Sequence, residues 1–308
     1  MLSFKCRNCG GEMSVDPDGS LVCEYCGSKE FFDDSELIRY RAFRKQMLDY
    51  LKGVHDEKAE GGHNEEMLWG SAEEVRFETA GGDPVNIRYL YSFEDDAGKV
   101  FLTRKNAIFI YGKDKKVHAE KVLWSIGGLS FPPADMKGLA DCFPNLIGKY
   151  DLSDGGVMLV FSRPENLFPL SMFGSLTPEH AAWVVSRLEN ICCVLKYSEL
   201  VHGGISEHSV WINPFIHHAV LMGHWHSAVK SGIARVKDGE DEDLICLRKT
   251  AERILGMHKN EAPQAMLEFL KDKPASDAYL DFEKWDEVID KGFGGRRFAK
   301  GLTIDRIR

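Results

Sequence analysis

Two matched pairs of cysteines carry the strongest chemical signal in the chain: Cys6-x-x-Cys9 within CRNCGG and Cys23-x-x-Cys26 within CEYCGS. Two thiolates separated by two residues reach one metal ion from a single tight turn. The glycine after each second cysteine permits the positive φ that aims backbone N–H groups at sulfur. Four thiolates predict tetrahedral Zn²⁺ in a closed structural site, with Cys6, Cys9, Cys23 and Cys26 as ligands. A redox Cys-x-x-Cys is the alternative, and duplication of the pair with matched glycines speaks against it. Between the pairs, VDPDGS supplies a turn and Leu21-Val22 begins a return strand, so a hairpin is predicted. A second group of ligand-type residues lies in HHAVLMGHWH, where His218, His224 and His226 fall at even offsets. A continuous strand would project them to one face, near His202, as a metal site. No carboxylate lies in that run to support them, and surface or hydrogen-bonded histidines are the expected outcome. Cys142, Cys192, Cys193 and Cys246 sit in apolar stretches and read as reduced, buried thiols.

The elements that must position these residues follow from periodicity. Asp33 or Asp34 can cap a helix over about 35–52, with an apolar stripe from Leu37 to Leu51 and a basic face of Arg39, Arg41, Arg44, Lys45 and Lys52. HDEKAEGGHNEE reads as a linker. From Asn86, NIRYLYSF and KVFLTRKNAIFIYGK alternate and are rich in β-branched and aromatic residues, predicting two or three strands. A helix is predicted over 115–126, a strand over 156–162, and a long helix after Thr177 and Pro178, which have cap and first-turn chemistry. Two short strands, VWIN and AVLMG, precede helices at about 241–256, 261–271 and 282–291. Arg163 and Glu165 suggest an ion pair in SRPENLFPL, Glu189 suggests salt-bridged packing in mid-helix, and GFGGRRF suggests a C-terminal structural lock. Strands first and helices afterwards predict an α+β chain with two lobes.

The chain has 308 residues, 44% of them apolar and 28% charged, with a net charge of -9 and a pI near 5.7. That composition supports a sizeable core. It argues against generic nucleic-acid binding, where phosphate neutralisation supplies most of the affinity. No run approaches the roughly 20 apolar residues of a membrane span, and the N-terminus lacks the apolar core of a signal peptide, so a cytoplasmic protein with no membrane partner is expected.

From about Asn86 to Arg297 the order of elements resembles a protein kinase. FPNLIGKYDLSDGGVMLVFSRPENLFPL is similar to the kinase strand pair that leads to the interlobe hinge. LVHGGISEHSVWINPFIHHAVLMGHWHSA is similar to the catalytic loop, its hairpin and the metal-binding turn, and EDEDLICLRKTAERIL to the buried helix that anchors the large lobe. The resemblance implies a bilobal fold, with a β-rich small lobe with one helix at 67–165 and a helical lobe at 166–308; ahead of it the cysteine pairs and the periodicity place a zinc ribbon at 1–33 and a basic amphipathic helix and linker at 34–66. It also places the residues of phosphoryl transfer: a base, two magnesium ligands, a lysine on the phosphates and a glycine loop over them. Here the base position is Gly204, within His202-Gly203-Gly204; the metal-binding Asn position is Ser209; and the metal-binding Asp position is Gly223, in Gly223-His224-Trp225. The lysine position falls near Tyr111, with Lys113 offset by two. The glycine loop is YSFEDDAGKV, with Gly98 as its one glycine and with Glu94, Asp95 and Asp96 where phosphate would lie. What survives is scaffold: His202 under the loop, and Asp243 as the acceptor of its backbone N–H groups.

Loss of the base and both metal ligands together removes several kcal/mol of stabilisation at each position, more than one neighbour can replace. The expectation is therefore a pseudokinase: a non-catalytic binding or scaffold module with structural zinc, acting through protein partners. One alternative is a nucleic-acid adaptor reading through the ribbon and the basic face of Arg39, Arg41, Arg44 and Lys45. The other is an atypical nucleotide-dependent transferase, with residual nucleotide binding in the cleft left open. Structural zinc contributes on the order of 10 kcal/mol to folding of small fingers. The substitution Cys9→Ser is accordingly expected to remove one equivalent of zinc and unfold the first ~30 residues while sparing the rest, as checked by metal analysis and limited proteolysis. Unchanged zinc content in that variant would refute the ligand assignment.

Overall fold

The structure, a computed structural model, describes residues 13–15, 20–23, 25–31, 69–70, 72–131, 134–232 and 241–302. Cys6, Cys9 and the basic helix expected over 35–52 lie outside the described residues. Strands β1 (Met13–Val15), β2 (Ser20–Cys23) and β3 (Lys29–Phe31) form a small antiparallel sheet.

The main sheet has six antiparallel strands: β4 (Glu73–Glu78), β5 (Pro84–Glu94), β6 (Lys99–Thr103), β7 (Asn106–Tyr111), β8 (Leu146–Asp151) and β9 (Val157–Ser162). Their order is β4-β5-β6-β7-β9-β8. Strands β6, β7 and β9 are nearly all apolar because both faces of the sheet are covered. Alternate residues divide cleanly. Phe101, Ile108, Met158 and Val160 face an inner cluster with Ile87 and Leu152. Val100, Leu102, Ala107, Phe109, Leu159 and Phe161 face the rest of the protein. Register shifts at Tyr89/Tyr91 and at Leu146/Gly148 mark irregularities of the kind that bend a strand. The sheet curls until its edges meet. Thr79 bridges Leu152, Ala80 N–H donates to the Asp151 carbonyl at 2.8 Å, and Ser153 N–H donates to the Glu78 carbonyl at 2.9 Å.

Helix α1 (Lys116–Gly127) follows β7 and packs on β7 and β9. The helical lobe begins after the short strand β10 (Phe168–Pro169) and is built on α2 (Pro178–Tyr197). Most of α2 is buried, and Pro178 takes its first turn; Thr177 holds the cap position in extended conformation but makes no side-chain cap bond. Strands β11 (Leu200–Val201), β12 (Val210–Asn213), β13 (His218–Leu221) and β14 (Val229–Lys230) surround the loop that follows α2. Helices α3 (Glu242–Leu255), α4 (Gln264–Lys271) and α5 (Ala278–Phe293) complete the lobe. Asp241 and Asp277 cap α3 and α5 through their side chains. The two-lobed α+β arrangement expected from the sequence is the one observed, with β4 added ahead of the expected strands.

One buried node ties three helices together. Arg248 of α3 meets Glu189 of α2 at 3.3 Å and Asp281 of α5 at 2.6 Å, and its guanidinium lies 3.3 Å from the centroid of the Phe269 ring on α4. Asp281 also accepts from the Ala275 N–H at 2.8 Å. Burial, with Asp281 beside it, pushes the Glu189 carboxyl well above its ordinary range against the pull of Arg248. Removing one partner of such a group leaves buried charge uncompensated. The substitution Arg248→Met is expected to cost about 3–5 kcal/mol in urea unfolding of the full chain. A loss no larger than that of an exposed ion pair would show that the node does not bind the lobe together.

Candidate functional site

The chain leaves β11 into the loop 202–209, and that loop is satisfied internally. Asp243, near the start of α3, accepts from the His202 N–H at 2.9 Å and from the Gly203 N–H at 2.7 Å. Burial pushes its carboxyl up to about 7, against the lowering effect of those two donors. His202 is fully buried: Nε2 lies 2.9 Å from the Gly223 carbonyl, Nδ1 accepts from the Gly204 N–H at 3.2 Å, and the ring packs edge-on to Trp225. Ser209 donates to the Gly204 carbonyl at 2.8 Å and accepts from the Ser206 N–H at 2.8 Å. Its own carbonyl accepts from Met222 and Gly223. Thr250 of α3 donates to the Ile205 carbonyl at 3.1 Å.

The glycines here are filled in by neighbours. A Cβ at Gly204 would come within 2.9 Å of the His224 Cβ, so an aspartate there requires His224 to move. A Cβ at Gly223 would lie 3.2 Å from the Ser209 Cα. Gly203 has φ +69, in the left-handed region. Lys113 stands in the turn after β7, its side chain against Gly155 of the β8–β9 turn.

The histidines do not share one strand face. His218 belongs to β13 and its Nε2 lies 3.1 Å from the Asp141 carbonyl. The strand then ends, and His224 takes a left-handed conformation (φ 62) before a single 3₁₀ turn carries His226. This turn redirects both rings away from His218 and toward the tip of the β5–β6 hairpin. At that tip, Asp95 accepts from the Ala97 and Gly98 N–H groups at 2.9 and 2.7 Å, forming a local turn. Gly98 lets the tip lie flat on β7, since a Cβ there would meet the Ile110 carbonyl oxygen at 2.2 Å. Its glycine character thus serves backbone packing within the sheet. The turn presents Asp96, whose Oδ1 is 3.3 Å from His226 Nε2 and 3.7 Å from His224 Nδ1. Burial works against the Asp96 charge, but the His226 and His224 rings outweigh it and hold the carboxyl below its ordinary value. His118 of α1 stacks on His226 with ring centroids 5.1 Å apart, and Phe93 of β5 lies 6.0 Å from the His208 ring in the loop. Sequence patterning had the three histidines but not Asp96 as their partner, because the carboxylate arrives from another lobe.

Behind this contact the two lobes share one buried apolar cluster, which includes Leu90, Ala97 and Val100 of the hairpin and Leu221, Met222 and Trp225 of the helical lobe. A cavity of about 620 Å³ lies elsewhere, between the end of α1, the segment 138–145 and β13, lined in part by Phe131, Phe143, His218 and Met222. Arg163 donates to the carbonyls of Leu167, Thr103 and Arg104, holding the inter-lobe strap through backbone contacts. His217 is stacked between Trp183 and Phe298 and reaches the Ala299 carbonyl at 2.9 Å, while Arg296 pairs with Asp286. GFGGRRF therefore runs into a packed C-terminal segment.

In the N-terminal sheet, Cys23 is buried at the end of β2, and the Cys26 N–H points at its Sγ across 3.5 Å. Gly27 has φ +70, and its N–H donates to the Cys23 carbonyl at 2.9 Å. A turn with an N–H aimed at the first sulfur and a left-handed glycine after the second is suited to a thiolate-bound metal.

No family model matches the chain, and no curated protein matches it. Kinase domains are among the solved structures that resemble it. The ROP18 kinase domain in complex with AMP-PNP and sucrose has a TM-score of 0.48 at 11% identity, covering 82% of this chain and 95% of that one. A Toxoplasma gondii specific rhoptry antigen kinase domain has a TM-score of 0.45 at 13% identity, covering 71% and 86%. Vaccinia related kinase 3 has a TM-score of 0.43 at 12% identity, covering 79% and 96%.

Burial lowers the pKa of His202 from 6.5 to about 3. A histidine held neutral in the fold contributes stability that is complete above its unfolded pKa and is lost as pH falls from 6.5 toward 3. The loss is about 1.4 kcal/mol per pH unit, or about 2 kcal/mol between pH 6.5 and 5. Urea midpoints measured at pH 7.5 and 5.0 are expected to differ less in His202→Gln than in the unaltered chain. Equal differences would show that His202 is not kept neutral by burial.

Proposed function

We propose that this chain is a kinase-type scaffold that binds partners and transfers no phosphate. The observation that carries the reading is the Asp96 carboxylate, set between His224 and His226 at 3.7 and 3.3 Å. In the kinase arrangement that the order of elements resembles, the tip of this hairpin covers the nucleotide phosphates. A carboxylate there repels phosphate, and its two imidazole neighbours occupy the turn that would carry the metal-binding Asp. The base and metal-ligand positions, Gly204, Ser209 and Gly223, have no carboxylate. Space for restoring one is also closed at Gly204 by His224. The apolar cluster shared by the lobes, with Val100 and Met222 buried in it, further favours a packed cleft over a nucleotide pocket.

The same proposal includes structural zinc on Cys6, Cys9, Cys23 and Cys26. The Cys23–Cys26 turn supports it through the N–H directed at sulfur, and Zn²⁺ there would supply only cross-linking of the N-terminal sheet. Binding to partners would then fall to surfaces outside the cleft, and a protein partner is the reading that the acidic composition favours.

Magnesium-ATP is expected to leave the melting temperature unchanged, and radiolabelled γ-phosphate is expected to remain on the nucleotide with the chain itself or a generic protein as acceptor. Magnesium-dependent stabilisation together with transfer that is lost in Lys113→Ala would overturn the reading.

A further inference from the structure

The contact between the hairpin tip and the helical lobe has a second use. We infer that Asp96, His224 and His226 form a binding site for a divalent first-row transition ion, which would cross-link the two lobes where the hairpin meets the loop. One ligand atom from each of the three residues lies within 4.8 Å of the others. Ligands held 2.0–2.1 Å from a tetrahedral ion sit ~3.4 Å apart. The separations of 3.3 Å from Asp96 Oδ1 to His226 Nε2 and 3.7 Å from Asp96 Oδ1 to His224 Nδ1 bracket that value. Two imidazoles and one carboxylate suit Zn²⁺, Co²⁺ or Ni²⁺ better than Mg²⁺ or Ca²⁺, which take oxygen ligands.

Two further features favour a ligand set over a plain ion pair. His226 Nε2 is buried and makes no aligned hydrogen bond, and neither does the buried Nδ1 of His118 stacked behind it. Buried polar atoms are normally satisfied, and an ion would satisfy the first directly. In addition, His224 is held at φ 62, a left-handed conformation uncommon for a residue with a side chain. The redirected backbone is what brings its ring to Asp96. Outliers of this kind concentrate where geometry serves binding. Asp96 itself is stationed by the Asp95 turn and by Lys115, whose Nζ donates to the Asp96 carbonyl at 3.2 Å.

The inference does not depend on the absence of phosphate transfer, and its test is separate from that of the cysteine site. The full chain is titrated with Co²⁺, monitoring ligand-field bands and thiolate-to-cobalt charge transfer together, and bound metal is counted after gel filtration. The cysteine site contributes the charge-transfer bands, and the Asp96 site contributes ligand-field intensity without them. In Asp96→Asn, a change at a largely exposed side chain, cobalt affinity at the site free of charge transfer is expected to fall at least roughly tenfold. His224→Asn is expected to do the same with the charge-transfer bands intact. Added Zn²⁺ is expected to raise the melting temperature of the unaltered chain more than that of either variant. Identical cobalt spectra, metal counts and zinc-induced stabilisation in the folded variants and the unaltered chain would overturn the assignment and leave an ion pair only.

Discussion

Helix α3 is the member on which the rest of the structure depends, and it acts through one buried guanidinium. Arg248 joins α2 and α5 through Glu189 and Asp281 and lies on the Phe269 ring of α4. A guanidinium suits this task because its planar fork addresses two carboxylates at once. On the same helix, Asp243 grips the start of the loop at His202 and Gly203, and Thr250 holds its middle at Ile205. The helix that organises the lobe therefore also sets the backbone path of the loop. The loop is fixed from behind by Asp243 and Thr250 and from within by the His202 ring and the Ser209 hydroxyl.

Ser209 braces its own loop, bonding to Gly204 and Ser206. The space beside Gly204 is taken by His224, and the hairpin descends onto the histidines through Asp96. Each contact supports the next: the glycine at 204 leaves room for His224, and His224 with His226 gives Asp96 a partner. The apolar cluster through Val100 and Met222 then joins the lobes over the same region.

Much of the fold was legible in the sequence. Alternation in KVFLTRKNAIFIYGK marks the strands β6 and β7, and the cap and first-turn chemistry of Thr177 and Pro178 marks where α2 begins. Strand β4 escaped because EEVRFE carries charge at four of its six positions, and its Val75 and Phe77 form too short an alternation to stand out. Helix α5 begins at Ala278, earlier than 282, because the Asp277 cap lies in a stretch without apolar periodicity of its own. The candidate site was half legible. Cysteine spacing and the identities of Gly204, Ser209 and Gly223 are local facts. The partnership of Asp96 with His224 and His226 depends on a hairpin tip crossing between lobes and on the left-handed His224, neither of which leaves a periodic trace. The backbone carbonyls of Thr103, Arg104 and Leu167 that receive Arg163 were not legible from its neighbourhood in sequence.

The closure of the main sheet at Thr79 and Leu152 bears on how the chain acquires its shape. The residues that meet there are among the most distant in sequence of any that pair in the sheet. Ordering so long an intervening segment is paid in chain entropy before any contact returns it. During synthesis β4 to β7 emerge before β8 and β9, and they must wait for them with both flanks, at β4 and at β7, unpaired. Such a delay is expected to make ring closure slower than formation of the hairpins within the sheet, whose contacts are more local. Unpaired strands in that interval can add to a neighbouring chain.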